Sequence, residues 1–131
     1  MKILLDTHTL LWALYKSSKL PSEVISVIES EENDVFFSIA TLWEIQIKHD
    51  KHPIAMPYAA RDVMTDAIGE FDLLSIAPIH IFDLSILKDI HNDPFDRLLI
   101  IQAKCEDMKL LTADSIIPQY GYPYVMPFSA K

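Results

Sequence analysis

Two short apolar runs end in a carboxylate: Ile3-Leu4-Leu5 is closed by Asp6, and Leu110-Leu111-Thr112-Ala113 is closed by Asp114. Runs this short and unbroken suit strands buried on both faces of a parallel sheet, because a helix would need ten residues or more. Between them, apolar residues recur at helical spacing. Strands alternating with helices predict an α/β fold with a mainly parallel sheet covered on both sides. In such sheets ligands bind beyond the carboxyl ends of the strands, where the strand order reverses. Polar residues just after each strand are therefore the first place to look for chemistry.

The pattern between the two runs fills in most elements. Leu10, Leu11, Leu14 and Tyr15 predict a helix capped by Thr7 or Thr9, and Pro21 predicts the first turn of a second helix carrying Val24, Ile25, Val27 and Ile28. An acidic turn over residues 29–34 precedes a second strand, residues 35–38, and a third helix over residues 39–48. A fourth helix is expected over residues 59–69 and a third strand within residues 71–76. From Pro78 a helical stretch is expected to run through Leu87. The strongest helical pattern covers residues 95–108, and residues 124–126 are a candidate fifth strand.

Composition narrows the class. With 131 residues, 50% hydrophobic content and only two glycines, residues 1–131 are expected to form one ordered domain rather than a linker or disordered tail. Cys105 is the single cysteine, which excludes an intrachain disulfide and a Cys-rich zinc site and suits a reducing cytoplasm. No apolar run approaches the ~20 residues of a membrane helix, so no membrane partner is expected. A net charge of −8 argues against a broad basic surface gripping nucleic acid, but not against an enzyme that meets phosphates through metal ions.

Four carboxylates far apart in sequence are directed by this topology toward one end of the sheet: Asp6, Glu44, Asp96 and Asp114. Carboxylates crowded together raise one another's pKa unless a cation neutralises them. Magnesium or manganese suits oxygen ligands, and such ions stabilise the attacking and leaving oxygens of phosphoryl displacement. Each residue also has a local role open to it. Asp93-Pro94-Phe95-Asp96 reads as a helix start with Asp93 as cap. Thr41 to Glu44 matches a capping box, Glu44 and Lys48 an i,i+4 pair on a helix surface, and Asp114 a cap for the turn at Ser115.

Four blocks then carry a resemblance. Leu4-Leu5-Asp6-Thr7-His8-Thr9-Leu10-Leu11-Trp12-Ala13-Leu14, Ser38-Ile39-Ala40-Thr41-Leu42-Trp43-Glu44-Ile45 with Lys48, His91-Asn92-Asp93-Pro94-Phe95-Asp96-Arg97-Leu98-Leu99-Ile100 and Leu111-Thr112-Ala113-Asp114 resemble, in order and spacing, PIN-domain ribonucleases of the VapC toxin type. The resemblance implies a three-layer α/β/α sandwich around a mainly parallel sheet of four to five strands. It also implies Mg²⁺- or Mn²⁺-dependent RNA cleavage, a homodimer, and a VapB-type antitoxin partner. Asp6, Glu44, Asp96 and Asp114 match the family's acidic quartet. Asp93 matches an additional acidic position, as ligand, cap or both, and Thr112 a hydroxyl position near the metal. The sequence departs from the family at Ile101, bulkier than the usual alanine, and at Ala113, where an Arg or Asn is usual.

Other residues have competing uses. Arg97 and Lys48 are candidates to contact phosphate or to pair with a pocket carboxylate. His8 is expected at a helix start and His91 in a turn, both near the pocket, while His49 and His52 lack a third zinc ligand. Trp12 and Trp43 are expected in the core, and Tyr120, Tyr122 and Tyr124 in edge packing or an interface. A phosphatase with an Asp nucleophile would carry its second Asp where His8 stands, and the acidic pair of a receiver domain is missing. A degenerate PIN scaffold, binding RNA or protein without cutting, is the non-enzyme alternative.

Overall fold

The first strand, β1 (Lys2–Leu5), owes its central place to its composition: Ile3, Leu4 and Leu5 are all fully buried, so both faces of the strand need a covering layer. A computed structural model describes residues 1–131 and supplies those layers. The sheet continues with β2 (Asp34–Ser38), β3 (Asp72–Leu74), β4 (Lys109–Thr112) and β5 (Val125–Pro127), all parallel, in the order β3-β2-β1-β4-β5. The expected mainly parallel sheet of four to five strands is thus wholly parallel with five.

Six α-helices connect the strands: α1 (Thr7–Leu14), α2 (Ser22–Glu29), α3 (Ile39–Lys51), α4 (Ala60–Ala67), α5 (Pro78–Phe82) and α6 (Pro94–Cys105). Alternation along β1 sorts the two layers. Ile3 and Leu5 pack with Leu10, Val24, Ile45 and Val63 from α1, α2, α3 and α4, whereas Leu4 packs with Leu99, Ile100 and Ile101 of α6 on the opposite face. Helix α3 serves both layers, through Ala40 on one and Ile45 on the other.

Several boundaries move for local reasons. The cap of α1 is Asp6, not Thr7 or Thr9: its Oδ1 accepts the Thr9 backbone N–H at 2.9 Å. Pro21 is the residue before α2 rather than its first helical one. The cap of α3 is Ser38, which accepts the Ala40 N–H, so the Thr41 to Glu44 spacing lies inside the helix and makes no capping box. Helix α6 ends at Cys105, short of Met108, because Asp107 takes a left-handed conformation (φ 55°). The Asp107 N–H then donates to Lys104 O and the Met108 N–H to Ala103 O, a Schellman ending that tucks Met108 into the core. After α5, the stretch expected to stay α-helical tightens into a 3₁₀ turn over Asp83–Ile86.

Register positions the site. Leu5 pairs with Phe37 on one side and with Leu111 on the other, which brings the residues after them, Asp6, Ser38 and Thr112, level at one edge of the sheet. From β1 the chain builds outward through β2 and β3, then returns to the other side for β4 and β5. The reversal falls between β1 and β4, between Asp6 and Asp114. No helix is long and apolar enough to cross a membrane.

Candidate metal centre

A cavity of about 420 Å³ opens at that edge, and Asp6, Glu44, Asp93, Asp96 and Asp114 all line it. Five acidic residues from four separate segments therefore meet in one place, as the topology predicted for four of them. A larger apolar groove of about 740 Å³ lies beside it, lined by residues of α1 and α2 with Leu20 and Phe71, and contains none of these carboxylates. Trp12 is a wall common to both.

Each carboxylate is held by donors that also build the fold. Asp6 is buried; its Oδ1 caps α1 and its Oδ2 accepts the hydroxyl hydrogen of Thr112. Burial pushes the Asp6 carboxyl above the ordinary range, and the bonds from Thr112 and Thr9 only partly oppose this. Asp93 caps α6, its Oδ1 accepting the N–H groups of Phe95 at 2.8 Å and Asp96 at 3.0 Å. Asp114 closes the turn that follows β4, its Oδ2 accepting the N–H groups of Ile116 and Ile117 at 2.9 and 2.8 Å. The structural roles read for Asp93 and Asp114 are thus real and coexist with a place in the pocket.

Glu44 departs from the surface pair expected of it. It is 4% exposed, and Thr7 donates to its Oε1 at 2.5 Å while the Lys48 ammonium lies against Oε2. Burial works against the Lys48 charge, but pairing with Glu44 and the field of Asp93 and Asp96 outweigh it and raise the Lys48 pKa. Asp96 sits at the electrostatic centre. Burial first, then repulsion from Asp93, Glu44, Asp114 and Asp6, push its pKa up to about 8.

His91 joins the cluster more intimately than a turn residue near a pocket. Its Nε2 lies 2.9 Å from Asp96 Oδ2 and 3.3 Å from Asp114 Oδ2, and the three ligand atoms all fall within 4.8 Å of one another. Both approaches are close in distance yet poorly directed, so Nε2 is buried without an aligned hydrogen bond. Thr7 and Lys19 are lining residues that the sequence reading did not single out, Thr7 being adjacent to Asp6, and His91, expected near the pocket, proves to be in direct contact with two of its carboxylates.

Two expectations change. Arg97 does not face the pocket: its guanidinium donates to the carbonyls of Leu84, Lys88 and His91 and to the Tyr120 hydroxyl, pinning the segment ahead of α6. Trp43 is not in the core but 59% exposed, packed edge-on against Phe95, because the inner face of α3 is taken by Ala40, Thr41, Glu44 and Ile45. Thr112 lies near the carboxylates as expected: fully buried behind Asp6, it also accepts the Asp114 N–H at 3.0 Å and so positions both. Trp12 is half-buried at the rim, with the Lys19 ammonium 5.7 Å from its ring centre. Tyr120, Tyr122 and Tyr124 stack in sequence. His49 donates to or accepts from nothing acidic; its Nδ1 meets Met56 O.

An oxygen-rich set of this kind suits a hard divalent cation. The raised Asp96 pKa is what such a set shows when it must hold its negative charge without one. Asp6, Asp96 and Asp114, with Asp93 and Glu44 beside them, are the residues able to hold it.

Solved structures of similar fold include that of VapBC2 from Rickettsia felis bound to a DNA fragment from their promoter, 16% identical with a TM-score of 0.70 over 100% of both chains. A toxin-antitoxin complex from Klebsiella pneumoniae is 18% identical, with a TM-score of 0.62 over 95% of each chain. FitAcB from Neisseria gonorrhoeae is 16% identical, with a TM-score of 0.55 over 97% of this chain and 96% of that one. No curated protein sequence matches the chain significantly. The PIN domain family model matches residues 3–121, which cover four of the five strands and all six helices, and the chain belongs to the PIN domain family.

Proposed function

We propose that the protein is a Mg²⁺- or Mn²⁺-dependent endoribonuclease and the toxin half of a toxin-antitoxin pair. The observation that carries the nuclease reading is the convergence of Asp6, Glu44, Asp93, Asp96 and Asp114 on one open cavity, with the Asp96 carboxyl driven to about 8 by burial and then by repulsion from its neighbours. Asp6, Asp96 and Asp114 hold the cation, with Asp93 at its side. When bound, the ion supplies Lewis acidity toward the phosphodiester and an activated water.

The chain's own residues do the rest. Thr112 and the Thr9 backbone N–H fix Asp6, and Thr7 with Lys48 fix Glu44, so the carboxylates keep their places without reorganising. Lys19 and Lys48 on the cavity wall offset the acidic floor for an incoming phosphate. No side-chain nucleophile is required.

The apolar groove beside the cavity suits an amphipathic antitoxin helix, and the acidic cavity next to it suits basic residues from the same partner. The fold shared with components of toxin-antitoxin complexes supports this assignment. Exposed Trp43 and Ile39, with Phe95 packed on Trp43, offer an apolar face for a homodimer. Titrating Mn²⁺ into a mixture of the purified protein and single-stranded RNA tests the nuclease reading. Cleavage that rises with Mn²⁺ and stops on adding EDTA is expected; neither cleavage nor Mn²⁺ binding would leave a non-catalytic scaffold.

A further inference from the structure

His91 is held through one ring nitrogen and through its backbone. Its Nδ1 accepts the Asp93 backbone N–H at 3.2 Å, its own backbone N–H donates to the Tyr120 hydroxyl at 2.9 Å, and its carbonyl accepts from Arg97. A nitrogen that accepts a hydrogen bond carries its lone pair there, so in the neutral ring the hydrogen is on Nε2. That nitrogen lies 2.9 Å from Asp96 Oδ2 and 3.3 Å from Asp114 Oδ2 without an aligned hydrogen bond to either, and it is buried with no other partner.

The carboxylate oxygens are divided accordingly. Asp114 Oδ2 already accepts the N–H groups of Ile116 and Ile117, and His91 Nε2 lies 3.3 Å from the same oxygen. Its Oδ1 is left for the cavity. On Asp96, Oδ2 is likewise the oxygen facing His91.

We infer that His91 is a positioning residue of the metal centre, its Nε2–H shared between one oxygen of Asp96 and one of Asp114 so that the other oxygen of each is presented to the cation. This rests on the metal-dependent reading proposed above. Direct ligation by His91 is the competing arrangement, and it needs the lone pair on Nε2. The ring hydrogen would then move to Nδ1 and confront the Asp93 N–H. Groups that orient ligating carboxylates from behind contribute about 10- to 100-fold to metal affinity.

The test compares the wild-type protein with His91→Phe, which keeps a planar ring, and His91→Gln, whose amide N–H reaches toward the position of Nε2. Mn²⁺ affinity is measured by calorimetry, folding by thermal melting, and the metal's nitrogen couplings by pulsed electron paramagnetic resonance. Expected are folded variants, about 10- to 100-fold weaker Mn²⁺ binding in His91→Phe, recovery of most of that loss in His91→Gln, and no directly bound imidazole nitrogen in the wild type. Wild-type affinity in folded His91→Phe, equal losses in both variants, or a directly coordinated nitrogen would each overturn the inference while leaving the metal site standing. A wild-type protein that binds no Mn²⁺ would overturn both.

Discussion

Thr112, the last residue of β4, donates its hydroxyl hydrogen to Asp6, the first residue after β1, and so ties the two strand ends between which the sheet order reverses. The same hydroxyl oxygen accepts the Asp114 N–H. One buried side chain thereby sets two carboxylates 108 residues apart in the numbering from Asp6 to Asp114.

Thr112→Val keeps the shape and removes both bonds. The Asp114 N–H loses its acceptor and buried Asp6 loses the bond that partly offsets its desolvation. A loss of about 1–3 kcal/mol in urea unfolding is expected, the cost of leaving buried polar groups unpaired. Mn²⁺ binding by this variant should require higher pH than in the wild type, because the Asp6 carboxyl moves further up.

The metal-free protein should lose stability as pH rises from the ordinary carboxylate range to about 8. The folded-state pKa of Asp96 is raised, so the folded protein binds a proton that the unfolded chain has already released. Stability from this group is full below the unfolded value near 4 and disappears as pH passes the folded value. Thermal melting in EDTA between pH 5 and pH 9 measures the slope. Saturating Mn²⁺ should flatten or reverse it, since a cation favours the ionised form, and calorimetry in buffers of different ionisation enthalpy should detect proton release on binding below pH 8.

Lys48→Met should destabilise the metal-free protein by leaving the Glu44 carboxylate buried opposite an apolar chain. Breaking a fully buried pair costs about 3–5 kcal/mol, and the half-exposed Lys48 places the expected loss below that. Urea unfolding with and without Mn²⁺ checks it. A smaller loss in Mn²⁺ is expected, because the ion supplies part of the missing positive charge.

Trp43→Ser should leave the fold intact while weakening self-association, since Trp43 is mostly exposed and its ring contact is with Phe95. Sedimentation across a concentration series compares the two proteins. A wild-type dimer that dissociates more readily in the variant is the expected result.

The sheet and the convergence of carboxylates were legible because parallel connectivity is restrictive: once β1 and β4 are read as buried strands, Asp6 and Asp114 must leave the same edge. What escaped was set by contacts with no local signature. Asp6 displaces Thr7 and Thr9 as helix cap, which frees Thr7 to hold Glu44. His91 reads as a turn residue until Tyr120 and Asp93 fix its ring beside Asp96 and Asp114. Arg97 follows a carboxylate in sequence, yet the carbonyls of residues 84–91 lie on its side of α6 and take its guanidinium. Trp43 is apolar in an apolar stretch, and only the packing of α3 reveals which side of the helix it occupies.

If the carboxylates hold a cation that cuts RNA, as proposed, Asp6→Asn removes one of the groups that hold it. Asparagine is as good a helix cap as aspartate and removes a buried carboxyl whose pKa is already raised, at the loss of the acceptor for the Thr112 hydroxyl, so the variant should still fold. Cleavage of a single-stranded RNA by wild type and variant is measured across a Mn²⁺ titration, with melting curves for both. Metal-dependent cleavage by the wild type and none by the folded variant is expected; a folded Asp6→Asn protein that cuts at the wild-type rate would overturn the metal-dependent reading.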